Sequence, residues 1–454
     1  MNRSVILVVA SLMAAASPRP AGAEQPLEVE WVLTAGGDKH DKTRGIAVDR
    51  DGNVLLTGEF TGTVMFGERQ LTSVGDMDCF VAKVSPDGHV LWVQSGGGTG
   101  IDRGYAVATD AAGNSYVTGH FNSSEISLGE LRAASVGDYD IFVAKYAPDG
   151  TLVWLKTGGG PGYDFGHGVA VTSTGAVVFT GALVGEGTWD GRPVGHAGPA
   201  HLFCASLATD GATGWFIVAT GATGSRGQGI AADAHGRCYV GGAAGATGDV
   251  AGRPFSGRGA EDPVVVCFAA DGSVRWLFQG LGGGRAAVHE IAADATGAVW
   301  AAGMFRDELW HDGRTTASAG DYDILLFSLD TDGTLAWAKT GGGPGVDYGL
   351  GVVADDRGNS YFCGSFRDTI TLDGTRRLGS ASGDAYVASF DRAGVCRGWF
   401  QTAGRGTEHA YTIARDAAGA TFISGAASGP ATFGRHSVSN RGSNDLFLAR
   451  LKAP

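Results

Sequence analysis

The chain is patterned in short apolar runs. In one representative stretch, YAVATD (Tyr105–Asp110), SYVTGHF (Ser115–Phe121) and IFVAKY (Ile141–Tyr146) are rich in Val, Tyr and Phe and bounded by Gly, Asp and Asn. Runs of this length and composition predict strands, and no periodic stretch is long enough for an amphipathic helix. Turn signals stand between them. The first turn runs from Asp110 to Gly113 and recurs as Asp49…Gly52, Asp233…Gly236, Asp294…Gly297, Asp355…Gly358 and Asp416…Gly419, with Thr172…Gly175 as a variant. A second turn uses Asp87-Gly88, Asp149-Gly150, Asp210-Gly211, Asp271-Gly272 and Asp332-Gly333. Asp bonds the backbone ahead of it, and Gly accepts a positive φ.

One Trp per unit sets the repeat length. Trp31, Trp92, Trp154, Trp215, Trp276, Trp337 and Trp399 follow one another at 61 or 62 residues. Each unit holds a Trp strand ending in glycines, a crossover, two strands joined by the first turn, a longer segment, and a third strand before the second turn. The long segments share a pattern, with MFGERQL at Met65, SLGELRA at Ser127, WDGRPV at Trp189, TLDGTRR at Thr371 and TFGRHSV at Thr432. It predicts a small extra hairpin, with Trp189 as an apolar anchor. Four antiparallel strands repeated radially make a propeller blade. The last unit stops after its third strand, and LEVEWVLTAGG around Trp31 is a Trp strand with no unit before it. The expectation is an all-β, seven-bladed β-propeller over residues 24–454, its last blade completed by the N-terminal strand.

At this point the residues resemble a known family. DIFVAKYAPDG (Asp140–Gly150), NSYVTG (Asn114–Gly119) and NSYFCG (Asn359–Gly364) are similar to the SBBP repeats of exported bacterial β-propellers. The resemblance implies the fold and export, and no shared catalytic activity. The spacing of each Asp-Gly turn before its Trp also resembles the tryptophan-docking pattern of quinoprotein-type propellers. A quinone-cofactor dehydrogenase would rest on that spacing alone, and no cofactor is expected.

Composition changes the picture in three ways. Gly makes up 77 of 454 residues, which suits many tight turns. A net charge of −13 repels phosphate backbones, so nucleic acid is not an expected partner. Residues 1–23 have a positive start, an apolar stretch (Ser4 to Ala16) and a small-residue site at Ala21-Gly22-Ala23, which predicts a signal peptide. The expected product is exported to the periplasm or beyond, monomeric, and without an integral membrane segment once the signal is removed. Export permits disulfides among Cys79, Cys204, Cys238, Cys267, Cys363 and Cys396. Their irregular places in the repeats point to individual buried thiols, and Cys238 and Cys267, on neighbouring predicted strands, are the first candidates should any pair form.

Seven copies allow recurrence to be weighed against uniqueness. The Trp set is read as blade packing. Asp78, Asp140, His201, Asp262, Asp323, Asp384 and Asp445 open the third strands and are read as caps for loop amides. A further set, Asp41, Asp102, Asp164, Asp347 and Glu408, with Ser225 and Ala286 at the same station, falls in the crossovers. These five acids either cap the loops beside the glycine turns or bind a cation or basic group at one mouth of a central channel. Arg226, Arg285, His289, Glu290, Trp310 and His311 have no repeated counterpart and mark a divergent sector that is a second candidate. No catalytic or metal-binding constellation can be assembled from the spacing. The expected function is non-enzymatic binding of a protein or glycan through the loop-bearing face. The alternative is a polysaccharide-active hydrolase or lyase using the acids of the mouth.

Overall fold

The computed structural model describes residues 24–245, 247–311 and 313–452. The expected signal peptide, residues 1–23, lies outside the described residues. The fold is all-β and propeller-like, with no helix among the described residues. A four-stranded antiparallel unit recurs along it. From the inside outward, its first copy is Asp41–Val48, Val54–Phe60, Asp78–Val84 and Val90–Gly97, hydrogen-bonded in that order. The same order starts again at the inner strands Asp102–Thr109, Phe165–Val171, Ser225–Ala232, Gly282–Ala293 and Tyr348–Ala354.

The last inner strand, Glu408–Arg415, is followed by Thr421–Ala427 and Asp445–Lys452. Their outer partner is the N-terminal strand Glu28–Gly37, paired antiparallel from Glu28 opposite Lys452 to Ala35 opposite Leu446. Successive inner strands pack against one another, and Asp41–Val48 packs against both Asp102–Thr109 and Glu408–Arg415.

Middle strands are covered on both faces by neighbouring units, so they read as continuous apolar runs. Val54–Phe60 and Asp78–Val84 are buried at every position. Each core cluster is shared between units. Leu55 and Val81 of one unit pack with Val107, Val117 and Phe142 of the next. At roughly 25 cal/mol per Å² of apolar area, this shared burial, more than any isolated sheet, stabilises the array.

The Trp residues lock neighbouring units at the periphery. Trp92 Nε1 donates to the Pro148 carbonyl at 3.0 Å, in the Asp-Gly turn of the next unit. Trp31, Trp154, Trp215 and Trp276 donate likewise to Pro86, Thr209, Ala270 and Thr331 at 3.0 to 3.1 Å. Gly150, at φ +87°, lies flat on the Trp92 ring, and a Cβ there would come within 2.7 Å of it. At Trp399, Gln25–Pro26 pairs alongside Gly398 and Trp399, and the Arg377 guanidinium covers the Trp ring at 4.1 Å.

Each extra hairpin pairs with the outer strand of the preceding unit. Leu128 and Ser127 pair with Gly96 and Gly97, and Val64 and Met65 with Gly37 and Gly36. The hairpin is thus a strap across the joint between units. Trp189 is buried in such a strap against Phe179 and Phe216.

All six cysteines are free thiols, as their irregular places suggested, and the candidate Cys238–Cys267 bridge does not form. Cys238 is opposite Phe268, and Cys267 is opposite Tyr239, so the two thiols lie one residue out of register and face opposite sides of the sheet. The nearest sulfur to Cys238 is Cys204 of the neighbouring unit, at 3.9 Å.

Candidate functional site

The acids of the crossovers open the inner strands and turn back beneath the loops. Asp102 Oδ2 accepts from Gly98 N–H at 2.7 Å and from Ser123 Oγ at 2.6 Å. Asp164 accepts from Gly160 N–H and Val184 N–H at 2.5 and 2.6 Å. Asp347 does so from Gly343 and Arg367, and Asp41 from Gly37 and Thr61. Each carboxylate therefore ties the glycine crossover to the connection that follows the second strand. Asp41, Asp102, Asp164, Asp347 and Glu408 are all fully buried. Burial pushes the Asp41, Asp164 and Asp347 carboxyls up to about 6, and burial with the nearby Asp384 carboxyl pushes Glu408 up to about 8. Four of these side chains are occupied by the backbone and the fifth bonds only Thr402, so none is presented to a ligand at the mouth. The third-strand acids also cap loop amides: Asp140 accepts from Val136 N–H at 2.6 Å and Asp323 from Ala319 N–H at 2.8 Å.

A different set of residues reaches the axis. Every inner strand carries a β-bulge, and the unpaired residue at each is Arg44, Tyr105, His167, Gln228, His289, Leu350 or Tyr411. The cause lies in the second strand. Opposite each bulge stands a glycine whose Cβ would meet an inner-strand carbonyl: Gly58 that of Lys42 at 2.0 Å, Gly119 that of Arg103 at 1.9 Å, Gly425 that of His409 at 1.8 Å. The bulge turns one side chain per unit out of the pleat, a device proteins use to aim residues into sites.

These side chains form a connected group. The Arg44 guanidinium lies 4.4 Å from the centre of the Tyr105 ring, and Tyr105 is 4.5 Å from His167. His289 Nδ1 is 3.1 Å from the Gly349 carbonyl. Burial, then Arg44, Arg226 and His289, push the His167 imidazole down to about 3, so it is neutral at ordinary pH. Beneath the group is a cavity of about 160 Å³ lined by residues of every inner strand, from Ile46 and Val107 to Val352 and Ile413. Among the described residues, Glu290 is the one acid lining it. It occupies the station where other inner strands carry Gly45, Ala106, Gly168, Gly229, Gly351 and Thr412. Burial pushes its carboxyl up to about 7.

One side of the mouth is strongly cationic. Glu59, buried to 1 %, accepts from Arg44 Nε and Nη2 at 2.5 and 2.8 Å. Lys42 Nζ lies 3.6 Å from it, and His40 Nε2 and Arg103 Nε lie at 3.8 Å. Burial alone would raise the Glu59 carboxyl, but Arg44, His40 and Lys42 together hold it well below the usual carboxylate range. One buried carboxylate thus organises two arginines and a lysine.

The divergent sector is divided by the structure. Arg226 and Arg285 line a second cavity of about 240 Å³ with Glu261 and Tyr322, and Arg226 Nη1 bonds Glu261 at 2.6 Å. His289 and Glu290 belong to the axis. Trp310 sits in a peripheral strap beneath the Arg258 guanidinium, 3.7 Å away, and is not part of either group. The side chain of His311 lies outside the described residues. Of the bulge residues, sequence reasoning marked only His289. Three of the others carried a signal, a variable residue between two glycines: Gly-His167-Gly, Gly-Gln228-Gly and Gly-Leu350-Gly.

Comparison with known proteins supports the repeat. A family model described as SBBP, beta-propeller repeat, matches residues 30–59. An uncharacterized WD repeat-containing protein, L264, of Acanthamoeba polyphaga mimivirus is 28% identical over 130 residues, covering 26% of this chain and 9% of that protein. The chain therefore spans under a tenth of the length of that relative. Among solved structures, the exotype rhamnogalacturonan lyase YesX overlays at a TM-score of 0.26 and 9% identity, over 91% of this chain and 90% of the other. The V. cholerae biofilm matrix protein Bap1 overlays at 0.22 and 10%, over 95% and 89%. Both overlays are too remote to carry fold or function across.

Proposed function

We propose that the chain is an exported, non-enzymatic binding protein, a closed seven-bladed propeller that engages a glycan at the axial mouth of its crossover face. The cyclic contact of the inner strands and the pairing of Glu28–Gly37 with Asp445–Lys452 support closure. The observation that carries the binding reading is the bulge set. Seven stations with one backbone geometry present Arg, Tyr, His, Gln or Leu, while the second-strand glycine opposite each of them repeats. A purely structural bulge would have no use for Arg, Tyr, His and Gln in turn. Aromatic rings and fixed polar groups in a shallow concavity suit sugar recognition.

The hydrolase or lyase alternative is less well supported. The acids it would use are taken up by loop amides. Among the described residues lining the axial cavity, Glu290 has no second carboxylate to share acid and base roles. A glycan array with the chain from Glu24 onward tests the reading. Tyr105→Ala with Tyr411→Ala should abolish retention without altering the melting temperature by more than a few degrees. Undiminished retention by that variant would remove the mouth from consideration.

A further inference from the structure

We infer that the ligand of the axial mouth is a carboxylated polysaccharide, a polyuronate, whose carboxylates meet Lys42 and Arg103 while a sugar ring stacks on Tyr163. The inference rests on the glycan reading above and narrows it to one chemical class.

The first observation is uncompensated charge. Arg44 takes Glu59 bidentately, which leaves Lys42 and Arg103 near that carboxylate without a hydrogen bond to it at normal length. Lys42, Arg44 and Arg103 face one anion. Burial, then repulsion from Arg44, pushes the Lys42 ammonium down to about 8, as expected where positive charge is in excess. The second observation is an orphaned donor. Arg103 Nε is buried with no hydrogen-bond partner among the described residues, a costly state unless something else accepts from it. The molecule as a whole carries −13, so a cationic mouth stands against the background and would attract anions locally.

The third observation is the platform beside it. Arg103 is paired across the sheet with His120. The His120 ring is buried beneath Tyr139 and Tyr163, at 5.2 and 5.8 Å, with neither nitrogen bonded among the described residues. Tyr139 and Tyr163 lie 4.1 Å apart, and Tyr163 remains 42% exposed in an otherwise covered sheet. An exposed ring held rigidly from below costs little further entropy to stack on. A polyuronate presents what the two features need together, a carboxylate and a sugar face within one residue. A free phosphate or sulfate would use the cations and leave the ring idle.

Titration calorimetry of the chain from Glu24 onward decides this. The probes are oligogalacturonate, its methyl ester and inorganic phosphate. Oligogalacturonate should bind, the ester at least tenfold more weakly, and phosphate at least tenfold more weakly still. Arg103→Gln should cost about tenfold for oligogalacturonate and leave the ester unchanged. Arg44 still pairs Glu59 in that variant, so folding is preserved. Tyr163→Ala, an exposed change, should weaken both sugars alike. Arg132→Gln, on an exposed strap beside Glu125, should change nothing. Equal binding of acid and ester would overturn the polyuronate assignment and leave the glycan reading standing. Phosphate matching the oligomer would overturn it in favour of a simple anion site. No binding of any sugar here or on the array would sink both readings.

Discussion

At the residue scale, position mattered more than residue type. Asp102 and Arg103 are neighbours, yet one is walled into a crossover and the other is turned to the mouth. The sequence marked Asp102 because acids recur at its station, and recurrence proved to signal backbone capping. Direction was not legible, because spacing along the chain does not say which way a strand-opening carboxylate points. The turn residues were legible because their bonds are local. Asp110 Oδ1 accepts from Ala112 and Asn114 N–H at 2.9 Å, as Asp followed by Gly predicted. The buried acids also carry a pH signature. The Glu408 carboxyl is raised from an ordinary 4.5 to about 8, so its contribution to stability is complete below pH 4.5 and lost as pH rises through 8. Glu408→Gln removes this loss. The stability difference between variant and parent, from urea melts, should grow in the variant's favour from pH 6 to 8, by at most about 1.4 kcal/mol per unit, and level off above. A difference independent of pH would show that Glu408 titrates normally.

At the element scale, the inner strand depends on the glycine opposite its bulge. Gly119→Ala would drive a methyl group into the Arg103 carbonyl. The variant should lose about 1 to 3 kcal/mol in chemical denaturation and also displace Tyr105, weakening glycan retention. Loss of stability with unchanged retention would separate the bulge from binding. The peripheral lock makes a parallel prediction. Trp92→Ala removes a large ring and its bond to Pro148, and should cost about 3 to 5 kcal/mol in the same assay. Strands, turns and the Trp ruler were all readable because they repeat at fixed intervals. The bulges were not. A bulge is a fault in pairing, visible only against the partner strand, and its signal was confined to glycines flanking a variable residue such as His167. The cysteines show the same limit. Cys238 and Cys267 fall on adjacent strands, but register alone decides which face each thiol takes, and Cys204 came close from another unit.

At the scale of the whole molecule, the account requires the ends of the chain to meet. Removing residues 24–37 would expose the edge of Asp445–Lys452 and uncover Trp399. The truncated chain should melt at least about 5 °C lower and associate through the open edge, as size-exclusion chromatography would reveal. A truncated monomer of parental stability would mean that the ring does not close in this way. The incomplete last unit and the unpaired first Trp strand made this join foreseeable. What the sequence could not display is that residues of all the inner strands line one small cavity, since that depends on how the units pack together. In the proposed function the crossover mouth is the binding surface. Hydrogen–deuterium exchange with and without saturating oligogalacturonate would show where the ligand sits. Protection should fall on residues 40–44, 101–105 and 161–167, and the first turns at 49–53 and 110–114 on the opposite face should exchange unchanged. Protection confined to those turns or to the outer straps, with the mouth unaffected, would contradict it.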